Sequence, residues 1–321
     1  GVDSAVSALL LRESYQVYCL WLDIGLGGGE DAAAMADWLG LPFEKKDIRR
    51  ELEHFVCQPF VEDYLAGRTP LPCARCNPAV KFPALLALAD RVGARLVATG
   101  HYARAEGGVL RKGRPANDQS YMLARLPRSI LQRVMFPLGD YEKVQVRSLA
   151  REFGIPVADK PDSMEICFIP DGDYAAWLDR RGNTPPPGDF VSPDGTVLGR
   201  HKGIHHYTLG QGRGLGVSGP HRYFVSAIRP ERNQVVLSDG GDLGRRELLC
   251  TAPNWIAVEA LTAPMAVTVR LRHSRTEQRA VILPEGGCVR VRMDQPARAP
   301  TPGQMAVFYD ADAVVGSGWI A

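Results

Sequence analysis

The hydrophobic pattern changes character near Pro170, and that change limits the folds open to this chain more than any single motif does. Before it, apolar runs of strand length alternate with amphipathic runs of helix length. Residues 17–22 read as a buried strand, 30–39 as a helix, 42–46 as a short strand, 49–66 as a helix and 95–101 as another buried strand. Such alternation argues a parallel, doubly wound α/β sheet, in which ligands sit at the carboxyl ends of the strands. Gly1-Val2-Asp3-Ser4 leads into an apolar run, and Asp3 or Ser4 would cap a helix packed on that sheet. Gly100 and His101 close a strand, where His101 suits a phosphate or base contact and equally a structural hydrogen bond. A hairpin is expected over 102–112, turning at Gly107-Gly108, then a short helix capped from Asn117-Asp118-Gln119, then an amphipathic helix over 143–153. Beyond Pro170 come the Thr184-Pro185-Pro186-Pro187-Gly188 boundary and short strands at 223–228, 234–238, 266–271 and 305–309. They predict all-β structure with a small barrel.

A short stretch within the first part carries reactive groups: Leu71-Pro72-Cys73-Ala74-Arg75-Cys76-Asn77-Pro78, followed by an apolar run at helical spacing. Asn before Pro is a good helix start, which predicts Cys76 just outside a helix N-terminus, with Arg75 and Lys81 near. Such a position lowers a thiol pKa. Cys167 lies far along the chain in Lys160-Pro161-Asp162-Ser163-Met164-Glu165-Ile166-Cys167. A structural zinc site would want a second close pair, whereas Cys19, Cys57, Cys250 and Cys288 are scattered singly and read as inert. A thioredoxin-type pair would open a helix right after the first strand of its fold. A nucleophilic or redox-active Cys76 with a partner, or an incomplete metal site, is left.

Seven cysteines at irregular spacing do not form a secreted disulfide framework, and a reducing cytoplasm fits them. No apolar run approaches the roughly 20 residues of a membrane span, and no signal peptide opens the sequence. The 38 basic and 36 acidic residues leave a net +2, too little to announce a nucleic-acid binder by itself. Arg270, Arg272, His273, Arg275 and Arg279 cluster along one strand and turn, a pattern whose default reading is a solvated face.

With these segments in view the chain resembles the bacterial tRNA-specific 2-thiouridylases (MnmA type), members of the PP-loop ATP pyrophosphatase group. The resemblance is carried by Gly1-Val2-Asp3-Ser4, Gly67-Arg68-Thr69-Pro70, Cys73-Ala74-Arg75-Cys76-Asn77, Ala98-Thr99-Gly100-His101-Tyr102 and Asp118-Gln119-Ser120-Tyr121. It continues through Phe136-Pro137-Leu138-Gly139, the surroundings of Cys167, residues 203–216 and the closing Val307-Phe308-Tyr309-Asp310. It implies a PP-loop nucleotide and catalytic domain over 1–168, a small central α+β domain over 169–247 and a C-terminal β-barrel over 248–321.

The activity so implied is ATP-dependent thiolation of the wobble uridine of tRNA at C2, with Mg2+, in a cytoplasmic monomer. Cys167 would match the persulfide carrier, loaded by a cysteine desulfurase or a sulfur-relay protein. Cys76 would match the thiol that forms a disulfide with it. Gly1, Val2, Asp3, Ser4, Leu22 and Gly100 correspond to ATP contacts. Leu71, Pro72 and Cys73 correspond to the target-base segment, and Asn117, Asp118, Gln119, Arg270 and Leu271 to tRNA contacts. The sequence opens inside the family's phosphate loop, Ser-Gly-Gly-Val-Asp-Ser, so the chain as it stands is expected to bind ATP weakly. Gly212 replaces a common arginine, Leu71 a common asparagine and Leu271 a common tyrosine. Cys73 stands where some members have aspartate, a general acid/base. With Cys73, Cys76 and Cys167 together, a [4Fe–4S] cluster competes with the persulfide route. The rival functions are a PP-loop enzyme with another acceptor, such as an amide-forming ligase, and a non-catalytic tRNA-binding protein.

Overall fold

The computed structural model describes residues 1–161, 166–274 and 276–321. Helix α1 (Val2–Leu11) precedes β1 (Cys19–Asp23), α2 (Gly29–Trp38) and β2 (Phe43–Asp47), and β1 and β2 pair in parallel. A long helix follows in three pieces: α3 (Arg49–Leu52), a π turn over Glu53–Cys57, and α4 (Gln58–Leu65). A second is built the same way, from α5 (Pro72–Cys76), a π turn over Asn77–Lys81, and α6 (Phe82–Val92). Proline inside an α-helix removes a hydrogen bond and clashes with the preceding turn, and each π turn here is followed two residues on by a proline, Pro59 or Pro83, while Pro78 lies within the second. The Asn77-Pro78 pair therefore does not start a helix as its sequence suggests. Pro72 does.

Strand β3 (Val97–Ala98), the hairpin β4 (Ala103–Glu106) and β5 (Val109–Lys112), then α7 (Ser120–Leu123), α8 (Arg128–Leu131), β6 (Val134–Met135) and α9 (Lys143–Glu152) complete this region. β3 and β6 form a second parallel pair. The first helix begins at Val2, so Asp3 lies inside its first turn and caps nothing. Its buried face, Val2, Ala5, Val6 and Leu9, packs with Leu138, Val146 and Ala150.

After Pro170 the chain is not purely β. Helix α10 (Tyr174–Arg181), capped by Asp173 accepting from the Ala176 N–H at 2.9 Å, comes first. A four-stranded sheet of β7 (Gly188–Val191), β8 (Val197–His201), β9 (Phe224–Arg229) and β10 (Gln234–Ser238) follows in the order β8-β7-β10-β9. The last six strands are β11 (Gly244–Trp255), β12 (Met265–Arg270), β13 (Gln278–Glu285), β14 (Cys288–Arg298), β15 (Met305–Asp310) and β16 (Ala313–Ile320). They run in the order β11-β14-β13-β12-β15-β16, and β11–β16 pairing closes the barrel. Hairpin β4–β5 joins this sheet at Ala313 and Arg111, which fastens the α/β region to the barrel. One core runs through the seam, with Tyr121, Leu123 and Phe82 packed against Met305, Val307 and Tyr309. No helix among the described residues is long and apolar enough to cross a membrane.

Candidate active site

Val80, Phe168 and Ile169 belong to one apolar cluster, and Cys76, Ala79 and Ile166 pack against its edge. Cys167 sits in the exposed turn between Ile166 and Phe168, Cys76 is half-buried, and Cys73 is exposed. Burial pushes the Cys76 thiol up to about 11, and the charges of Cys167 and Cys73 add to that rise. The Lys81 ammonium and its backbone N–H oppose it. Cys167 is raised as well, by protein atoms that crowd its sulfur on one side while the residue stays open to solvent, with Cys73 adding and Lys81 opposing. Cys76 and Cys167 thus share the field of Cys73 and of Lys81, the cation beside them. Among the described residues no carboxylate lies within ion-pair distance of Lys81.

The expected low pKa of Cys76 is corrected by this geometry. The helix starts at Pro72, so Cys76 lies a turn inside it with its thiol against apolar side chains, and Cys73 occupies the first turn. Leu71 and Pro72, expected to face the target base, are buried, Leu71 at 7% exposure, and shape the loop from beneath. Arg75 is held by the buried Asp63 at 3.0 Å and lies 5.0 Å from the Trp319 ring of the barrel. Cys57 is pushed to about 12, mainly by burial, and burial also raises Cys19 and Cys250, in keeping with inert packing. Asp162, Ser163, Met164, Glu165 and Arg275 lie outside the described residues.

A cavity of about 350 Å³ opens at the start of α1, lined by Gly1, Val2, Asp3 and Ser4. Its other walls include Tyr102, Asn117, Gln119, Lys143 and Lys160. Tyr102 Oη donates to Asp3 Oδ1 at 2.7 Å, and Lys143 Nζ reaches the two carboxylate oxygens at 2.7 and 2.8 Å. Gly100 is pressed on this site: a Cβ there would stand 2.8 Å from the Asp3 backbone carbon. The N-terminus of a ten-residue helix opens on the cavity, and Lys143 and Lys160 line it, paired with Asp3 and Asp31 respectively; backbone N–H groups and lysines of this kind suit a phosphate that displaces those pairs. Leu22 lies elsewhere, against the apolar cluster under Cys76. His101 is half-buried beside Phe82 and Phe136, with Nδ1 2.7 Å from Thr99 Oγ1. Burial holds it neutral, well below the usual histidine range, so the structural reading of that residue prevails.

Residues assigned to tRNA contacts divide. Gln119 accepts from the Tyr102 N–H at 3.0 Å and lines the Asp3 cavity with Asn117. Asp118 is buried and accepts from Gly113 N–H, Ser120 N–H and Ser120 Oγ. It also accepts from Arg270 Nη1, while Nε and Nη2 of Arg270 reach Glu277 at 2.8 and 2.6 Å. Arg270 is thereby a buried tie between the two regions, its three nitrogens engaged by carboxylates, and not the open phosphate contact expected. Leu271 packs against the barrel core. Tyr102, Lys143 and Lys160 were not legible as site residues, since only tertiary folding brings them to Asp3. Asp179, His205 and His206 place ligand-type atoms within 4.8 Å of one another, but in the central region, where His205 ties α10 to the turn before Tyr207 through Asp179 at 2.9 Å.

Residues 1–171 match the family described as the tRNA methyl transferase HUP domain, 176–239 its PRC-barrel domain, and 245–320 the aminomethyltransferase β-barrel domain. The tRNA-specific 2-thiouridylase MnmA of Geobacter metallireducens is 41% identical over 347 residues, covering 100% of this chain and 94% of that one. Its counterpart in Syntrophotalea carbinolica is 43% identical over 339 residues, covering 100% and 96%. That of Heliobacterium modesticaldum is 43% identical over 346 residues, covering 100% and 90%. The solved U34-tRNA thiolase NcsA of Methanococcus maripaludis, with its [4Fe-4S] cluster, aligns at TM-score 0.36 and 16% identity over 57% of this chain and 64% of that one. That likeness is too loose to bear on the site.

Proposed function

This chain belongs to the tRNA-specific 2-thiouridylase family, and we propose that it replaces the C2 oxygen of the wobble uridine of tRNA with sulfur, using ATP and Mg2+. The observation that supports the mechanism is an exposed Cys167 near enough to a half-buried Cys76 to raise its pKa, with Lys81 opposing that rise. ATP phosphates enter the Asp3 cavity, where Lys143, Lys160 and the α1 N-terminus supply positive charge. The C2 oxygen attacks the α-phosphorus, pyrophosphate leaves, and the base carries AMP as a leaving group. The uridine reaches the site unstacked, as base chemistry on RNA requires.

Cys167, being exposed, accepts a persulfide sulfur from a cysteine desulfurase or a relay protein. The Cys76 thiolate then attacks the inner sulfur of the Cys167 persulfide. A Cys76–Cys167 disulfide forms, the outer sulfur leaves as hydrosulfide, and hydrosulfide displaces AMP at C2. An external dithiol reduces the disulfide for the next turnover. Lys81 supports the thiolate in a setting that otherwise keeps Cys76 protonated.

Cys73 adds to the rise of both other thiols, and three thiols are the donor type that a [4Fe–4S] cluster on Cys73, Cys76 and Cys167 would use. When bound, such a cluster would supply sulfide from an open iron position. Iron and sulfide analysis of anaerobically purified protein, with activity of Cys73→Ser, separates the routes: iron-free protein at full rate excludes the cluster. The function is tested by incubating the protein with ATP, persulfide donor and unmodified tRNA. The expected result is 2-thiouridine with matching pyrophosphate. Pyrophosphate release with another acceptor, or tRNA binding without either product, would point to the rival activities.

A further inference from the structure

Three arginines gather where the central sheet meets the barrel, hydrogen-bonded to carbonyls or stacked on a ring, with no carboxylate partner among the described residues. Phe224 opens β9, and two guanidinium groups lie on its ring, Arg298 at 4.6 Å and Arg222 at 5.2 Å from the centroid. Arg222 Nε donates to the Gly212 carbonyl at 3.3 Å, and Arg272 Nη2 donates to the Arg298 carbonyl at 2.8 Å. Arginines from three segments of the chain converge on one exposed rim where the central sheet meets the barrel. Elsewhere the arginines are commonly answered, as Arg68 is by Asp63, Arg270 by Asp118 and Glu277, and Arg290 by Glu285. Among the described residues no carboxylate lies within ion-pair distance of Arg222, Arg272 or Arg298. Asp239 and Asp242, in the turn packed on Phe224 through Gly240, bond instead to Gly241 N–H and Ser238 Oγ.

Grouping cations around one ring is unfavourable unless something offsets their repulsion. The ring itself returns only about 0.5–1 kcal/mol per exposed cation. An anion bound between the guanidinium groups would offset that repulsion. Beside the arginines lies an open cavity of about 360 Å³, walled by the glycine-rich loop at 212–219 with His221, Arg222 and Tyr223. Gly212 is required by the arrangement, because a Cβ there would stand 2.6 Å from the Phe224 ring. The base of this loop is tied to the reactive part of the molecule: Thr208 Oγ1 is 3.3 Å from Thr69 Oγ1, three residues ahead of the helix that starts at Pro72.

We propose that Arg222, Arg272 and Arg298 form a docking site for phosphodiester groups of the RNA substrate, away from the nucleotide that reacts. The proposal rests on the tRNA reading above and adds where the RNA backbone is held. Guanidinium forks match phosphate oxygens, and a rim of three with room beside it suits successive phosphates with their riboses.

The test uses the full chain and an unmodified tRNA transcript, with binding measured across a series of salt concentrations and thiolation measured in parallel. Arg222→Gln, Arg272→Gln and Arg298→Gln should each weaken binding about threefold to tenfold and lower the salt slope by about 0.7–0.9. KM for tRNA should rise with kcat unchanged at saturating tRNA. Arg222→Lys should keep most of the slope, which separates charge from fold, and Arg151→Gln, whose arginine is already paired with Asp159, should change nothing. Glutamine variants that bind with unchanged affinity and slope, while thiolation proceeds normally, would overturn the docking site alone. Wild-type protein that neither binds nor thiolates tRNA would overturn the function reading together with it.

Discussion

The seam at Arg270 and the cluster at Cys76 are both half-shielded places where charge has been gathered, and they are treated in opposite ways. At the seam, Arg270 meets Asp118 and Glu277, Lys112 meets Glu277 at 2.8 Å, and Tyr309 lies beneath both cations. Every charge has its counter-charge, and the result holds the α/β region to the barrel. At the cluster, three thiols face one lysine that no described carboxylate answers. There Lys81 stands ready to support a thiolate or a persulfide formed beside it. Between these two places, full pairing goes with the structural tie and incomplete pairing with the thiols.

The sharpest way to break that contrast is to remove the sulfurs. Cys76→Ser and Cys167→Ser should each lose thiolation by a factor on the order of 10³ or more, the scale of deleting a nucleophile. Their tRNA affinity should match the wild type in the same binding assay. Either mutant retaining near-normal 2-thiouridine, quantified after nuclease digestion, would end the two-cysteine account.

The seam should respond in stability. Arg270→Met strands Asp118 in the interior and weakens the hold on Glu277, at a cost of about 3 kcal/mol in urea unfolding. A loss under about 1 kcal/mol would mean that the ion pairs there contribute little.

Lys81→Met lies between these. The lysine holds the Cys76 pKa down, so its loss should raise that pKa further and move the rising limb of the pH–rate profile to higher pH. At neutral pH the rate should fall about 10- to 100-fold, and part of it should return as the pH is raised. An unshifted limb would remove Lys81 from the chemistry.

The smallest effect concerns alkaline stability. Cys76 is raised from 9.0 to about 11, so the folded form keeps a proton that the unfolded chain releases. The associated stability is complete below about pH 9 and is lost as the pH climbs through about 11. Cys76→Ser should flatten that part of the stability–pH curve, and an identical curve would contradict the burial assigned to this thiol.

Periodicity was a good guide wherever the elements are local. The helix at 143–153 appears as Lys143–Glu152, the hairpin turns at Gly107-Gly108, and strand Gln234–Ser238 falls where the alternation puts it. It misled at Asn77-Pro78, because a cap followed by proline also describes a π turn inside a longer helix, and only the helix starting at Pro72 distinguishes the two. That one ambiguity inverted the expected direction of the Cys76 pKa. The cysteines stood out by spacing, whereas Lys143 and Tyr102 meet Asp3 across 140 and 99 residues of chain and carry no local mark. Arg270 looked like an exposed charge because its partners, Asp118 and Glu277, come from two other segments.

The central claim, that sulfur passes from Cys167 with Cys76 closing behind it, is tested most directly in a single turnover. Protein carrying a persulfide on Cys167, freed of donor and reductant, is mixed with ATP and unmodified tRNA, quenched with an alkylating agent and analysed by peptide mass spectrometry. The account predicts one 2-thiouridine per persulfide consumed and an equal amount of peptide linked through a Cys76–Cys167 disulfide. Full yield of 2-thiouridine with Cys76 recovered as the alkylated free thiol would contradict it.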